Sequence, residues 1–366
     1  MFSLYKTKSP KETIELGKRL AQRLSGGDTI LFFGELGSGK THFIKGLAQG
    51  LGILMTIKSP TYAYVNKYPI PNPEFRDQDS GFSRQKAKVF YHYDLYRMSE
   101  GDDFESIGLD ESLADLQAIN AVEWSDRLEG RIPKRCVLVH LSEIGKTHEI
   151  RIEFLSPTLL EESAIETYYE EWGTPLNVRK HCRVVTHVAM TVANAYMRKR
   201  EIVNTNLLYV GAMIHDMARV CDFRSMERSK FEEKITDKLW KKWNLLRETH
   251  SGKRHAFIAY EQLKSRGHTE IAELIRLHEA DLLGLEPQSY TTLESKILYY
   301  SDKRVKHDSI VDLAERFRDG RERYGSGDTP DVKNLFEGIE QYCLELEKEL
   351  FRGLDIKPED IKPITI

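Results

Sequence analysis

No stretch of the chain approaches the roughly eighteen uninterrupted apolar residues of a membrane-spanning helix, and the opening segment MFSLYKTKSP holds no apolar signal core. Both absences point to the cytoplasm. Cysteine is scarce: Cys136, Cys182, Cys221 and Cys343 stand far apart, which fits neither a disulfide framework nor a zinc ribbon and suits reduced thiols. A dominant charge is missing as well. Charged residues make up 30 % of the chain but the formal net charge is only -3, so no global basic field argues for nucleic acid, although a local patch is compatible with these totals. At 366 residues the chain exceeds what one core usually organises, and two domains are expected.

What is present begins at residues 34–41, GELGSGKT, a full G-x-x-x-x-G-K-[ST] phosphate-binding loop between the apolar run 30–33 and the helical pattern Phe43-Ile44-Leu47-Ala48. Glycines there let backbone N–H groups converge on phosphate, so Glu35, Gly37, Ser38 and Gly39 are expected in the cradle, Lys40 at the β/γ oxygens and Thr41 on Mg²⁺. Around it the first half alternates helix and strand. Ser9-Pro10-Lys11-Glu12 combines an N-cap, a proline at the first helical position and a capping-box acid. Strands are expected at 29–33, 62–68, 89–93, 118–122, 137–140 and 150–154, with an acidic helical segment near 102–116. This pattern predicts an α/β P-loop NTPase domain over 1–157, with a central, mostly parallel sheet. Residues 69–88, PIPNPEFRDQDSGFSRQKAK, are expected to form an exposed loop, either a tolerated insertion or a partner-binding element.

Asp94 follows VFYHY and Glu123 follows AINAV, so both acids should emerge at the carboxyl edge of the sheet, where the phosphate loop opens. Hydrolysis needs such groups to hold the metal shell or orient water.

Taken together, GELGSGKT, Lys58-Ser59-Pro60-Thr61-Tyr62, His92-Tyr93-Asp94-Leu95-Tyr96-Arg97, Ile107-Gly108-Leu109 and Val122-Glu123-Trp124 resemble the TsaE (YjeE) family of bacterial P-loop ATPases over about residues 9–155. The resemblance implies ATP and Mg²⁺ as ligands, TsaD/TsaB-type partners, and a role in threonylcarbamoyladenosine formation on tRNA, which the chain would serve indirectly. It further implies that Thr41 and Glu123 serve Mg²⁺, that Asp94 is needed for hydrolysis, that Ser59, Thr61 and Tyr62 belong to a switch near the γ-phosphate, and that Trp124 lies beside the nucleotide. His42, where the family usually has a second threonine, and the long 69–88 segment depart from the pattern.

After Phe154 the texture changes. Residues 158–175 are acidic and end in Gly-Thr-Pro, which reads as a linker, and 176–345 read as long helices with a tail at 346–366. His181, the pair His215-Asp216, His255, His278 and Asp302 occur in an order that resembles the HD-domain metal-dependent phosphohydrolases over about 176–325. That resemblance implies a metal on His181, His215, Asp216 and Asp302, with Asp216 central to catalysis and His255 and His278 on a second metal or a substrate phosphate. Imidazole with carboxylate suits Mn, Fe, Co or Mg, and such a metal can acidify water for attack on a small phosphoester; the lack of thiolate argues against structural zinc. His250 is the rival to His255, which begins an amphipathic helix through Phe257, Ile258, Tyr260 and Leu263. His187, His268 and His307 read as structural or solvent-facing. Lys303 and Arg304 could meet a phosphate, with a solvated helix face as the plainer alternative. DKLWKKWN reads as a surface helix with Leu239 and Trp243 turned inward rather than an RNA contact. The whole is expected to be bifunctional, an ATPase joined to a phosphohydrolase. The alternatives are a nucleotide-gated regulatory switch and a metal-free HD scaffold.

Overall fold

The computed structural model describes residues 2–60, 63–71, 86–98, 104–128, 130–279, 292–324 and 330–364. Thr61, Tyr62 and most of the 69–88 segment lie outside them. The chain divides into two units: residues 1–157 with 196–204, and residues 158–195 with 205–366.

The first unit is built on a seven-stranded sheet of order β1-β7-β6-β2-β5-β4-β3. Its strands are β1 (Ser3–Thr7), β2 (Thr29–Phe33), β3 (Val65–Pro69), β4 (Val89–Asp94), β5 (Ala118–Glu123), β6 (Cys136–Ile144) and β7 (Thr147–Leu155). The central strands β6, β2, β5 and β4 run parallel; β7 and β3 pair antiparallel to them, and β1 pairs antiparallel to β7 at the edge. Strand β5 is buried at every position, as a parallel strand covered on both faces must be. The register of β4 on β5 sets Asp94 directly beside Glu123, so the topology itself pairs the two acids at one edge.

Helices α1 (Pro10–Ala21) and α2 (Lys40–Gly50) cover the sheet. Ser9 caps α1 by accepting from the Glu12 N–H, and Glu12 accepts in return from the Lys8 N–H at 2.7 Å. The two helices approach so closely that a Cβ on Gly46 would lie 2.0 Å from the Ile14 carbonyl oxygen, and one on Gly17 would lie 2.2 Å from that of Phe43. Only glycine fits such a crossing. The acidic segment near 102–116 is helical only at a 3₁₀ turn, Glu105–Ile107, and at α3 (Leu109–Ala114). Residues 196–204 also belong to this unit: Ile202 sits in its core and the Val203 carbonyl accepts from Ser3 Oγ at 2.7 Å.

The second unit is helical, with α4 (Ala164–Trp172), α5 (Leu176–Arg198), α6 (Thr205–Ile214), α7 (Asp237–Thr249), α8 (His255–Ser265), α9 (Thr269–Leu277), α10 (Leu293–Lys303), a small ribbon of β8 (Val305–Lys306) and β9 (Ser309–Ile310), α11 (Leu313–Tyr324) and α12 (Pro330–Phe351). The stretch expected as a linker differs from that reading: α4 buries Ile165, Tyr168, Tyr169 and Trp172, because the aromatic spacing within its acidic sequence forms one apolar face. The tail also begins late, since α12 runs through Phe351 and Leu346, Leu350 and Ile361 are buried. In α7, Trp243 is fully buried and its indole N–H donates to the Gly173 carbonyl at 2.7 Å.

Candidate active sites

In the first unit Gly34 follows β2 directly at φ 137°, and a Cβ there would meet the Leu141 carbonyl oxygen at 2.3 Å. Gly39, at φ 101°, is the N-cap of α2. These left-handed positions bend the loop back over the helix N-terminus. Lys40 Nζ donates to the carbonyls of Gly34 and Glu35 at 2.6 and 2.9 Å and stands 4.0 Å from the centre of the Trp124 ring. Burial pulls its pKa down, against the pull of Glu123, Asp94 and Glu35. Ser38 Oγ is buried without a hydrogen-bond partner, and Gly37 faces open space. An anion fits this loop, which offers amides, a hydroxyl and a cation.

The two acids differ in their company. Glu123 accepts from Thr41 Oγ1 at 3.0 Å and lies 2.9 Å from His92 Nε2. Asp94 accepts from Ser59 Oγ and, at 3.1 Å, from the Tyr96 N–H. Thr41 with Glu123 thus forms an oxygen pair suited to Mg²⁺, and Ser59 is tied to Asp94. Trp124 holds φ 61°, uncommon for a non-glycine residue, with its ring 4.9 Å from that of Tyr96. The sequence reading missed His92, although the residue lies two positions before Asp94 in HYDLYR and so points to the same sheet face.

In the second unit six residues converge from five helices or their ends. His181 Nε2 lies 3.1 Å from Asp302 Oδ1; His215 Nε2 lies 3.8 Å from the same oxygen and 3.9 Å from Asp216 Oδ1. Asp216 Oδ1 also lies 2.7 Å from His255 Nε2 and 3.5 Å from His278 Nε2. His215 Nε2 is buried and has no hydrogen-bond partner. Three imidazoles and two carboxylates around such an orphaned nitrogen fit a divalent cation, and among the described residues His181, His215 and Asp302 form one compact three-donor group, His215, Asp216 and His278 a second, and His255, His278 and Glu279 a third.

Burial opposes charge on Asp216, yet the imidazoles of His255 and His215 outweigh it and hold the carboxyl well below the usual range. Burial likewise opposes charge on Asp302, and Lys303 and His181 outweigh it. For His255, burial lowers the pKa, but Glu279 and Asp216 overcome it and raise the group to about 9. Burial leaves His278 below its ordinary value.

The other histidines lie apart from this cluster. His250 ends α7 with its ring near Trp172, His187 bonds the Lys362 carbonyl, and His268 caps α9. His307 enters through its backbone, whose carbonyl accepts from His181 Nδ1. Arg304 is neither a solvated face nor free to meet a phosphate: it is buried and bonded to Tyr300, Glu347 and the carbonyls of Val311 and Pro358. Lys303 donates to Asp302 at 3.1 Å. Asp222, Glu279, Arg219 and Arg254, which surround His255, escaped the sequence reading. Glu279 in the dipeptide after His278 was the signal available.

The model of the threonylcarbamoyl adenosine biosynthesis protein TsaE matches residues 7–151. The chain is 32 % identical over 141 residues to "tRNA threonylcarbamoyladenosine biosynthesis protein TsaE" of Bacillus subtilis (38 % of this chain, 78 % of the relative) and 39 % identical over 127 residues to that of Borreliella burgdorferi (35 % and 81 %). The chain belongs to the TsaE family. A crystal structure of Bacillus subtilis YdiB also aligns, at 27 % identity over 42 % of this chain and 86 % of that one, with a TM-score of 0.31. Beyond the TsaE region, the HD-domain model matches residues 178–305, which include every member of the six-residue cluster. The chain therefore joins a TsaE region to an HD domain.

Proposed function

We propose that the chain is a cytoplasmic protein with two hydrolytic activities. In the first, the TsaE region binds MgATP through Glu35, Gly37, Ser38, Gly39, Lys40 and Thr41, with Thr61 and Trp124 at the nucleotide, and turns it over in support of tRNA threonylcarbamoylation by TsaD/TsaB-type partners. The observation that carries this is the Thr41–Glu123 hydrogen bond beside a complete phosphate loop, one strand from Asp94. Glu123 helps Thr41 hold Mg²⁺, and Asp94 orients the attacking water.

In the second activity, His181, His215, Asp216 and Asp302 hold a divalent cation, with His255 and His278 beside it for a second cation or the substrate phosphate. A cation bound there supplies Lewis acidity that acidifies water for attack on phosphorus. The protein's own part is to keep Asp216 and Asp302 ionised and to hold the Nδ1 proton of His215 on the Ala212 carbonyl, so that Nε2 is the atom turned to the cation. Burial opposes charge on His215, but Cys182, Asp216 and Asp302 outweigh it and raise its pKa well above the ordinary value, so a cation there would displace the Nε2 proton. The orphaned His215 Nε2 supports this over a metal-free scaffold. Metal analysis of the purified full-length protein, followed by a phosphatase screen over nucleotides and dinucleotides, tests the reading. Stoichiometric divalent metal with at least one phosphoester hydrolysed is expected; a metal-free, inactive protein would leave the scaffold.

A further inference from the structure

Three of the four clustered histidines are oriented by main-chain carbonyls. Nδ1 of His181 bonds the His307 carbonyl at 2.7 Å, that of His215 the Ala212 carbonyl at 2.8 Å, and that of His278 the Ile275 carbonyl at 2.5 Å. A carbonyl only accepts, so each Nδ1 carries a proton and Nε2 is the atom each ring turns inward, able to ligate once it carries no proton of its own.

His255 is the exception. Its ring is oriented by a side chain: Asp222 Oδ2 lies 2.8 Å from Nδ1 and accepts the His255 backbone N–H at 3.2 Å. On the opposite side of the ring, Nε2 meets Asp216 Oδ1 at 2.7 Å and His278 Nε2 at 3.3 Å. Arg219 Nη1 also stands 2.8 Å from Nδ1, and the two neighbours make opposite demands. A guanidinium only donates, so its contact requires a lone pair on Nδ1 and sends the proton to Nε2. A carboxylate requires the proton on Nδ1, and only that form leaves Nε2 able to ligate.

We propose that Asp222 is a positioning residue that holds His255 in its Nδ1–H form and so completes a second cation site of His255, His278 and Asp216. This rests on the metal-dependent reading of the cluster and extends it. Glu279 approaches His255 at Nδ1, at 3.5 Å, with its other oxygen on Arg254; with His255 and His278 it forms a further compact three-donor group, whereas the site proposed here draws its carboxylate from Asp216, 2.7 Å from Nε2.

Titration of the full-length protein with Mn²⁺ alone, followed by calorimetry and by metal count after dialysis, tests this. Two equivalents are expected for the wild type. Asp222→Asn, which retains shape but replaces the charged acceptor at Nδ1 with a neutral amide, should weaken the second equivalent by about 10- to 100-fold and leave the first unchanged. Glu279→Gln removes the same charge from the same side without touching the Asp222 bond and should change it less than about threefold. In the Zn²⁺-loaded protein, ¹⁵N spectra should show His255 protonated at Nδ1. Unchanged affinity in Asp222→Asn, equal weakening of both equivalents, or an equal effect from Glu279→Gln would each overturn the proposal. A wild type that takes up one equivalent overturns it while the first site stands; one that takes up none fails the metal-dependent reading itself.

Discussion

Lys40 shows how much one side chain organises in the TsaE region. Its ammonium lies against the carbonyls at the loop's start and over Trp124, and a bound triphosphate would take it as the fixed cation on the β/γ oxygens. Lys40→Ala is expected to weaken ATP binding about a hundredfold, the loss of a charge-assisted contact worth about 2–3 kcal/mol, as equilibrium titration would show. Asp94→Ala should spare binding and lower kcat about a hundredfold with partners present; wild-type turnover in that variant would remove Asp94 from the mechanism. At the HD cluster the residue scale gives a pH prediction. His255 is raised to about 9, above its unfolded value near 6.5, so in the metal-free chain its stabilising contribution is complete below about 6.5 and lost as pH rises through about 9. A cation on its Nε2 must displace that proton. Uptake at His255 should therefore tighten by up to about tenfold per pH unit from 7 to 9, which calorimetry at stepped pH would detect and a flat profile would refute. The six clustered residues were legible because their residue types and order are rare together. Asp222 and Arg219 were not, because a charged residue a few positions past a motif looks like any solvated charge until the helices bring it against the ring.

At the scale of elements, the strand ends and the phosphate loop were readable from apolar runs and punctuation, and Ser9 caps α1 as its sequence required, although the capping-box acid Glu12 takes the Lys8 N–H in place of that of Ser9. The α1–α2 crossing was not, since Gly17 and Gly46 look like weak helix residues until their partners are known. That crossing makes a prediction. Gly46→Ala pushes a methyl into the Ile14 carbonyl, which is backbone and cannot move aside, so α1 and α2 must separate at a cost of about 3 kcal/mol. Hydrogen exchange should show both helices losing protection while the HD helices keep theirs; unchanged protection would mean the crossing is looser than described. The 158–175 stretch was misread because linker composition and an amphipathic helix share the same acids. What separates them is the aromatic face of Tyr168, Tyr169 and Trp172, a 3.6-residue period within only a few turns.

At the scale of the whole molecule the central claim is that one chain carries two independent chemistries: ATP turnover at a sheet edge and metal-dependent phosphoester hydrolysis within a helical core. The two are distinguished most directly by Asp216→Asn in the full-length protein, with metal content, ATP hydrolysis in the presence of partners and phosphoester hydrolysis measured on one preparation. His268→Ala, outside both clusters, serves as the control. The account predicts that Asp216→Asn loses bound metal and phosphoester hydrolysis while ATP hydrolysis stays at the wild-type rate, and that His268→Ala changes none of the three. Full metal content and phosphoester hydrolysis in Asp216→Asn would contradict it.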